Sequence, residues 1–94
     1  MLRIESLEID DHILDKIECN HDVRLEEIED VCLSEHRHVR RGKGGLYKVF
    51  GQTAAGRYIL AVLANKGGGD WKVATARPMT DTEKRLYKKA IGGE

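Results

Sequence analysis

Proline occurs once in this chain, at Pro78, tryptophan once, at Trp71, and cysteine only at Cys19 and Cys32. Two cysteines without CxxC spacing make neither the disulfide framework of a small secreted domain nor a zinc or thioredoxin-like signature, so both read as reduced, half-buried apolar residues. No apolar run approaches the roughly 18 residues that span a bilayer, and the charged opening MLRIESLEIDD lacks the apolar core of a signal peptide. A cytoplasmic protein without a membrane segment is therefore expected. GxxxxGK(S/T) and GxGxxG are both missing, which leaves the Gly-rich stretches at 42–45 and 67–69 as turns rather than nucleotide cradles. His36 and His38 share no metal-ligand spacing with Cys19 or His21, and no metal or cofactor is expected. There is also no repeat, linker or low-complexity stretch.

Net charge is missing too, but only in the total. Residues 1–35 hold 12 acids and 3 bases, whereas residues 36–94 hold 4 acids and 13 bases. A basic half in a small domain favours a polyanionic partner such as RNA or DNA, and the acidic half repels one. The 94 residues suffice for one domain, 1–94, with a small core that buries roughly 60–65% of the surface of the unfolded chain.

Residues 2–9 alternate imperfectly and read as a short first strand. From Asp10 the apolar spacing Ile9, Ile13, Leu14, Ile17 is helical, with Asp10 or Asp11 as N-cap, and it ends near Asn20. After the polar break Asn20-His21-Asp22, Leu25, Ile28, Val31 and Cys32 define a second helix with acids outside. Four strands follow: His38 to Arg41, Leu46 to Gln52, Arg57 to Ala64 and Trp71 to Arg77, separated by turns at 42–45, 53–56 and 65–70. The run Tyr58 to Leu63 is almost continuously apolar, as in a central strand covered on both faces. Turns this short make neighbouring strands antiparallel. The predicted order is βααββββα: an α+β fold in which an antiparallel twisted sheet packs against helices.

The chain closes on its most structured stretch, Ala74 to Tyr87. Pro78 disfavours helix at Arg77, so Arg77 should end a strand. Thr80-Asp81-Thr82-Glu83 is a capping box, and the helix it starts carries an apolar stripe of Leu86, Tyr87, Ala90 and Ile91 among basic residues. Strict alternation puts Trp71, Val73, Thr75 and Arg77 on one sheet face, and Arg57 with Ile59, Ala61 and Leu63 on one face of the neighbouring strand. The two arginines are thereby expected near one end of the sheet, converging on one surface where their forked donors suit phosphate oxygens. The competing role for each is an ion pair with a helix carboxylate. His21, at the helical break, has an ordinary pKa of about 6.5 that suits proton transfer; the alternative is an exposed polar loop residue. Tyr87 lies four residues after Glu83 and can share its face, or serve as a core tyrosine with its hydroxyl at the rim. Trp71 reads as core, and His12 as surface.

These residues carry a resemblance that covers most of the chain. Glu8-Ile9-Asp10, Asn20-His21-Asp22-Val23 with Leu25-Glu26-Glu27, Gly56-Arg57-Tyr58 with its apolar strand, Thr75-Ala76-Arg77, and Glu83 with Tyr87 in a basic helix follow the motif order of the BrnT toxins. These are RelE-like ribonucleases of bacterial type II toxin-antitoxin modules. The family pattern has tryptophan at Ile9, lysine at Ile13 and Asn20, asparagine at Ile17 and glycine at Asp22. The resemblance implies a RelE-like fold and a metal-independent endoribonuclease that cleaves mRNA and inhibits translation. The implied catalytic residues are His21, Arg57, Arg77, Glu83 and Tyr87. The implied partners are an RNA substrate and a BrnA-like antitoxin encoded by the adjacent gene, oligomers being expected only with that antitoxin. The substitutions around His21 favour the alternative, a non-catalytic module that binds antitoxin or nucleic acid.

Overall fold

The computed structural model describes residues 4–92; Leu2 and Arg3, which open the expected first strand, lie outside them. The element order is β1 (Ser6–Glu8), α1 (Asp11–His21), α2 (Leu25–Cys32), β2 (His38–Arg41), β3 (Leu46–Gln52), β4 (Tyr58–Gly67), β5 (Asp70–Pro78) and α3 (Asp81–Gly92). The strands form one sheet in the order β1-β5-β4-β3-β2. Strands β2 to β5 run antiparallel through Gly-rich turns, as expected. The first strand corrects the all-antiparallel expectation: it lies parallel to β5, which makes the sheet mixed. The physical reason is the long crossover. The α1–α2 hairpin carries the chain from one sheet edge to the other, and a connection of that length permits either strand direction.

That hairpin covers the inner face of the sheet. Ile17, Val23, Ile28, Val31 and Cys32 from the helices pack on Val49, Ile59, Ala61, Leu63, Trp71, Val73 and Ala76. Trp71 is buried, with its ring edge-on to Tyr47 at 5.2 Å. Gly51 is needed here because a Cβ would come within 2.9 Å of Val31 Cγ1 and 3.1 Å of its carbonyl oxygen. Strand β4, in the middle, buries Ile59 and Ala61 on this face and Leu60 on the other.

On the outer face α3 touches a smaller cluster of Phe50, Leu60, Met79 and Tyr87, with Tyr58 beside it. The expected four-residue stripe is corrected: Tyr87 is buried, but Ala90 is exposed and Leu86 and Ile91 stand 45% and 42% exposed. One aromatic anchors the helix, and among the described residues no element covers the rest of its apolar side. The two cysteines also differ. Cys19 is exposed, while Cys32 is buried, which pushes its thiol up to about 12. His12 is exposed, as expected. No helix among the described residues is long and apolar enough to cross a membrane.

Candidate functional site

Helices α2 and α3 begin with the same device, a glutamate in the first turn that accepts the backbone N–H at the helix start and also holds an arginine. At α3 the capping box forms as the sequence predicts. Thr80 N–H donates to Glu83 Oε1 at 2.9 Å, and Glu83 N–H donates to Thr80 Oγ1 at 3.2 Å. Arg77 then closes a two-pronged pair on the same carboxylate, Nη1 to Oε1 at 2.7 Å and Nη2 to Oε2 at 2.8 Å. The Arg77 hydrogen bonds hold the Glu83 carboxyl below its ordinary range against the opposing effect of burial, and the same bonds raise Arg77.

At α2, Arg24 N–H donates to Glu27 Oε1 at 3.0 Å. Arg57 Nη1 reaches both oxygens of that carboxylate, at 3.0 and 3.1 Å. The Arg57 fork also donates to the carbonyl of Asp22 and, at 3.3 Å, to that of His21. Arg57 therefore ties the last turn of α1 to the first turn of α2. The left-handed Asp22 at φ 52°, the single described non-glycine residue with positive φ, makes the corner. The ion pair with the acidic helices, one of the two roles open to Arg57 in the sequence, is formed in the structure.

The expected convergence of the arginines is overturned. Val62 pairs with Thr75 but Leu63 pairs with Val73, so Ala74 is an extra residue in β5. A bulge of one residue moves every later side chain to the opposite face. Ala76 consequently joins the inner core, and Arg77, opposite Leu60, points outward with the α3 cluster. Arg57 is at the same end of the sheet, but beneath the α1–α2 hairpin.

The five residues named from sequence thus fall into two groups. His21 and Arg57 belong to the inner side, where His21 lines a shallow hollow of about 140 Å³ with Lys16, Asn20 and Thr75. Arg77, Glu83 and Tyr87 belong to the outer side. Tyr87 takes the core role: its hydroxyl donates to the His36 carbonyl at 3.0 Å, its ring lies edge-on to Tyr58 at 6.0 Å, and burial raises its pKa.

Around Glu83 the outer face is cationic. A hollow of about 320 Å³ is lined by Glu83, Arg40, Arg41, Lys48, Phe50 and Leu86. Arg40 lies opposite Lys48 across the β2–β3 hairpin, so the two share this face. Arg57, Lys66, Lys72 and Arg77 are ion-paired, whereas among the described residues Arg40, Lys43 and Lys48 have no carboxylate within ion-pair distance. The charge total of the basic half does not single out this group. Arg40 faces Lys48 because five residues, 42–46, separate the paired Arg41 and Tyr47, one more than the turn at 42–45 read from the sequence, which would have set Arg40 against Tyr47. Among the described residues no three His, Cys, Asp or Glu side chains gather as metal ligands.

A helical hairpin on one face of a five-stranded mixed sheet, with a capped C-terminal helix on the other, is the BrnT-like toxin fold. The crystal structure of the Brucella abortus ribonuclease toxin BrnT matches it with a TM-score of 0.68, at 13% sequence identity, over 81% of this chain and 97% of that one. No family model matches the chain, and no curated protein does.

Proposed function

We propose that this chain is the RNA-cleaving toxin of a toxin-antitoxin pair, with the RNA lying on the outer sheet face beside α3. One observation carries the reading: the Glu83 carboxylate, held by Arg77, opens into a hollow whose other charged residues are Arg40, Arg41 and Lys48. The ribonuclease toxin of like fold supports the same class of reaction. The cations would hold the scissile phosphodiester and offset the charge that builds on it. Phosphate oxygens compete with Glu83 for the Arg77 fork. As Arg77 turns to the phosphate, Glu83 loses the donors that keep its pKa low and becomes a better base. It then takes the proton of the 2′-hydroxyl. The 2′-oxygen bonds to phosphorus, the bond to the 5′-oxygen breaks, and that oxygen is protonated by water, leaving a 2′,3′-cyclic phosphate. His21, on the other face, takes no part. The natural partner is an antitoxin encoded by the adjacent gene.

Glu83→Gln tests this. The amide oxygen can still accept the Thr80 N–H, so the helix start is kept, while the base is lost. Cleavage of end-labelled RNA by purified protein should fall about 10²- to 10⁴-fold. Wild-type cleavage by the variant would overturn the role given to Glu83. A second reading, a non-catalytic binder, is favoured by the full engagement of both arginines with glutamates. It wins if antitoxin-free wild type leaves RNA intact yet binds it with a steep salt dependence.

A further inference from the structure

Next to the Glu83 hollow, on the same face, is a second hollow of about 530 Å³ lined by Arg41, Gly42, Lys43, Leu46, Lys48 and Val62. Lys48 pairs with Val62 across β3 and β4, and Leu46 pairs with Ala64, which puts Leu46 and Val62 on the open outer face. Both are only partly covered, so they form an apolar floor. Among the described residues no acid lines this hollow, in contrast to the hollow on the helical side lined by Glu18, Asp22, Val23, Arg24 and Glu26. Arg41 and Lys48 line both outer hollows and therefore stand at their junction. Arg41 pairs with Tyr47, a residue of the inner face, and its guanidinium is turned to that side, its Nη2 donating to the Tyr47 hydroxyl at 3.2 Å and its guanidinium 5.7 Å from that ring's centroid, which leaves Lys48 as the outward cation at the junction.

We propose that this second hollow is a nucleotide subsite: Leu46 and Val62 receive the base of the nucleotide next to the scissile phosphate, Lys48 at the junction holds that phosphate, and Lys43 takes the next one. The substrate is therefore unpaired RNA. An apolar floor between cations fits a strand that alternates flat apolar bases with anionic phosphates, and its volume falls in the range of about 300–1,000 Å³ typical of ligand sites. A base inside a duplex is stacked and paired, so it cannot drop into the hollow without being splayed out. An acidic peptide would satisfy the cations but not the floor. The inference rests on the reading that RNA binds this face, and it adds which form of RNA and which residues seat it.

Binding is best measured on a strand that cannot be cleaved. A fluorescein-labelled, 2′-O-methylated strand of about 12 nucleotides lacks the nucleophile, so its anisotropy reports binding whether or not the protein is a nuclease. The single strand should bind roughly tenfold or more tightly than its duplex. Lys43→Gln, at an exposed position, should lower the slope of log K against log salt by about 0.7. Leu46→Ser should raise Kd roughly fivefold to tenfold with no change in that slope, and circular dichroism melting checks that it folds. If native RNA is then cleaved, both variants should raise KM and leave kcat unchanged. Equal binding of duplex and single strand, or no effect of Lys43→Gln on the salt slope, overturns the subsite even if RNA is cleaved. Poly-glutamate binding with the same affinity and the same sensitivity to Leu46→Ser overturns it in favour of an acidic protein partner. If RNA is left intact but binding follows the pattern above, the subsite stands and the cleavage reading falls.

Discussion

Replacing Arg57 by alanine separates a strut from a catalytic group, and the structure predicts a strut. The side chain makes two bonds to the Glu27 carboxylate and two to the carbonyls of His21 and Asp22. Fully buried bonds to charged groups contribute about 1.5–3 kcal/mol each, but Arg57 and Glu27 side chains are 34% and 22% exposed, so water replaces part of what is lost. A net cost of about 1.5–2 kcal/mol follows for the whole set. For a domain of this size, that lowers Tm by roughly 6–16 °C. Arg57→Lys should recover about half, since an ammonium restores attraction to Glu27 without the planar fork that spans both carbonyls. Calorimetry or circular dichroism melting gives the Tm, and RNA cleavage is measured well below it. The expected outcome is a large drop in Tm with cleavage per folded molecule unchanged. A variant that melts within a degree or two of wild type but no longer cleaves RNA would refute the assignment and return Arg57 to the reacting centre.

Two further outcomes follow from the same devices. Glu83 has its folded-state pKa depressed from the ordinary 4.5 by Arg77 and the Thr80 cap, so its contribution to stability is fully present above that value and is lost as pH falls through the folded pKa. Below about pH 4.5 the stability of wild type should therefore fall more steeply than that of Glu83→Gln, as read from urea midpoints across pH 2–6; parallel curves would show that the pair contributes nothing. Asp22→Gly relieves the left-handed backbone at the end of α1, a position that glycine occupies without a Cβ clash, and should stabilise by about 0.5–1 kcal/mol, a Tm rise of about 2–8 °C. An unchanged or lower Tm would place the corner's stability elsewhere.

Glycine at that corner is also what the BrnT pattern carries in the place of Asp22, so one apparent departure in the sequence is met in the fold by a residue type that tolerates positive φ. The departures at Ile13 and Ile17 have a similar local explanation. Ile17, on α1, is buried in the inner core and Ile13 packs against the same core, so apolar residues there strengthen the helical face rather than supply charge.

What the sequence alone determined is whatever depends on near neighbours. The Thr80–Glu83 cap needs only one turn of chain. The turns at 42–45, 53–56 and 65–70 need only their own residues, and the apolar run of β4 marks its central place by composition. The element order βααββββα followed from such signals, as did the burial of Trp71 and the core role open to Tyr87. What only the tertiary structure decided is whatever depends on the count of residues between paired strands and on which charges meet. Side chains alternate with a period of two, so the single extra residue at Ala74 sends Arg77 to the face opposite Arg57, and nothing local in Val73-Ala74-Thr75 announces it. The packing of Ala76 opposite Ala61 in the inner core accompanies that shift. In the same way, composition counts thirteen bases in the second part of the chain, but only folding brings glutamates to Arg57 and Arg77 while leaving Arg40, Lys43 and Lys48 unpaired on the open sheet face. A cation's value to a phosphate depends on whether a carboxylate has already claimed it, and that is settled by contacts between residues far apart in the chain.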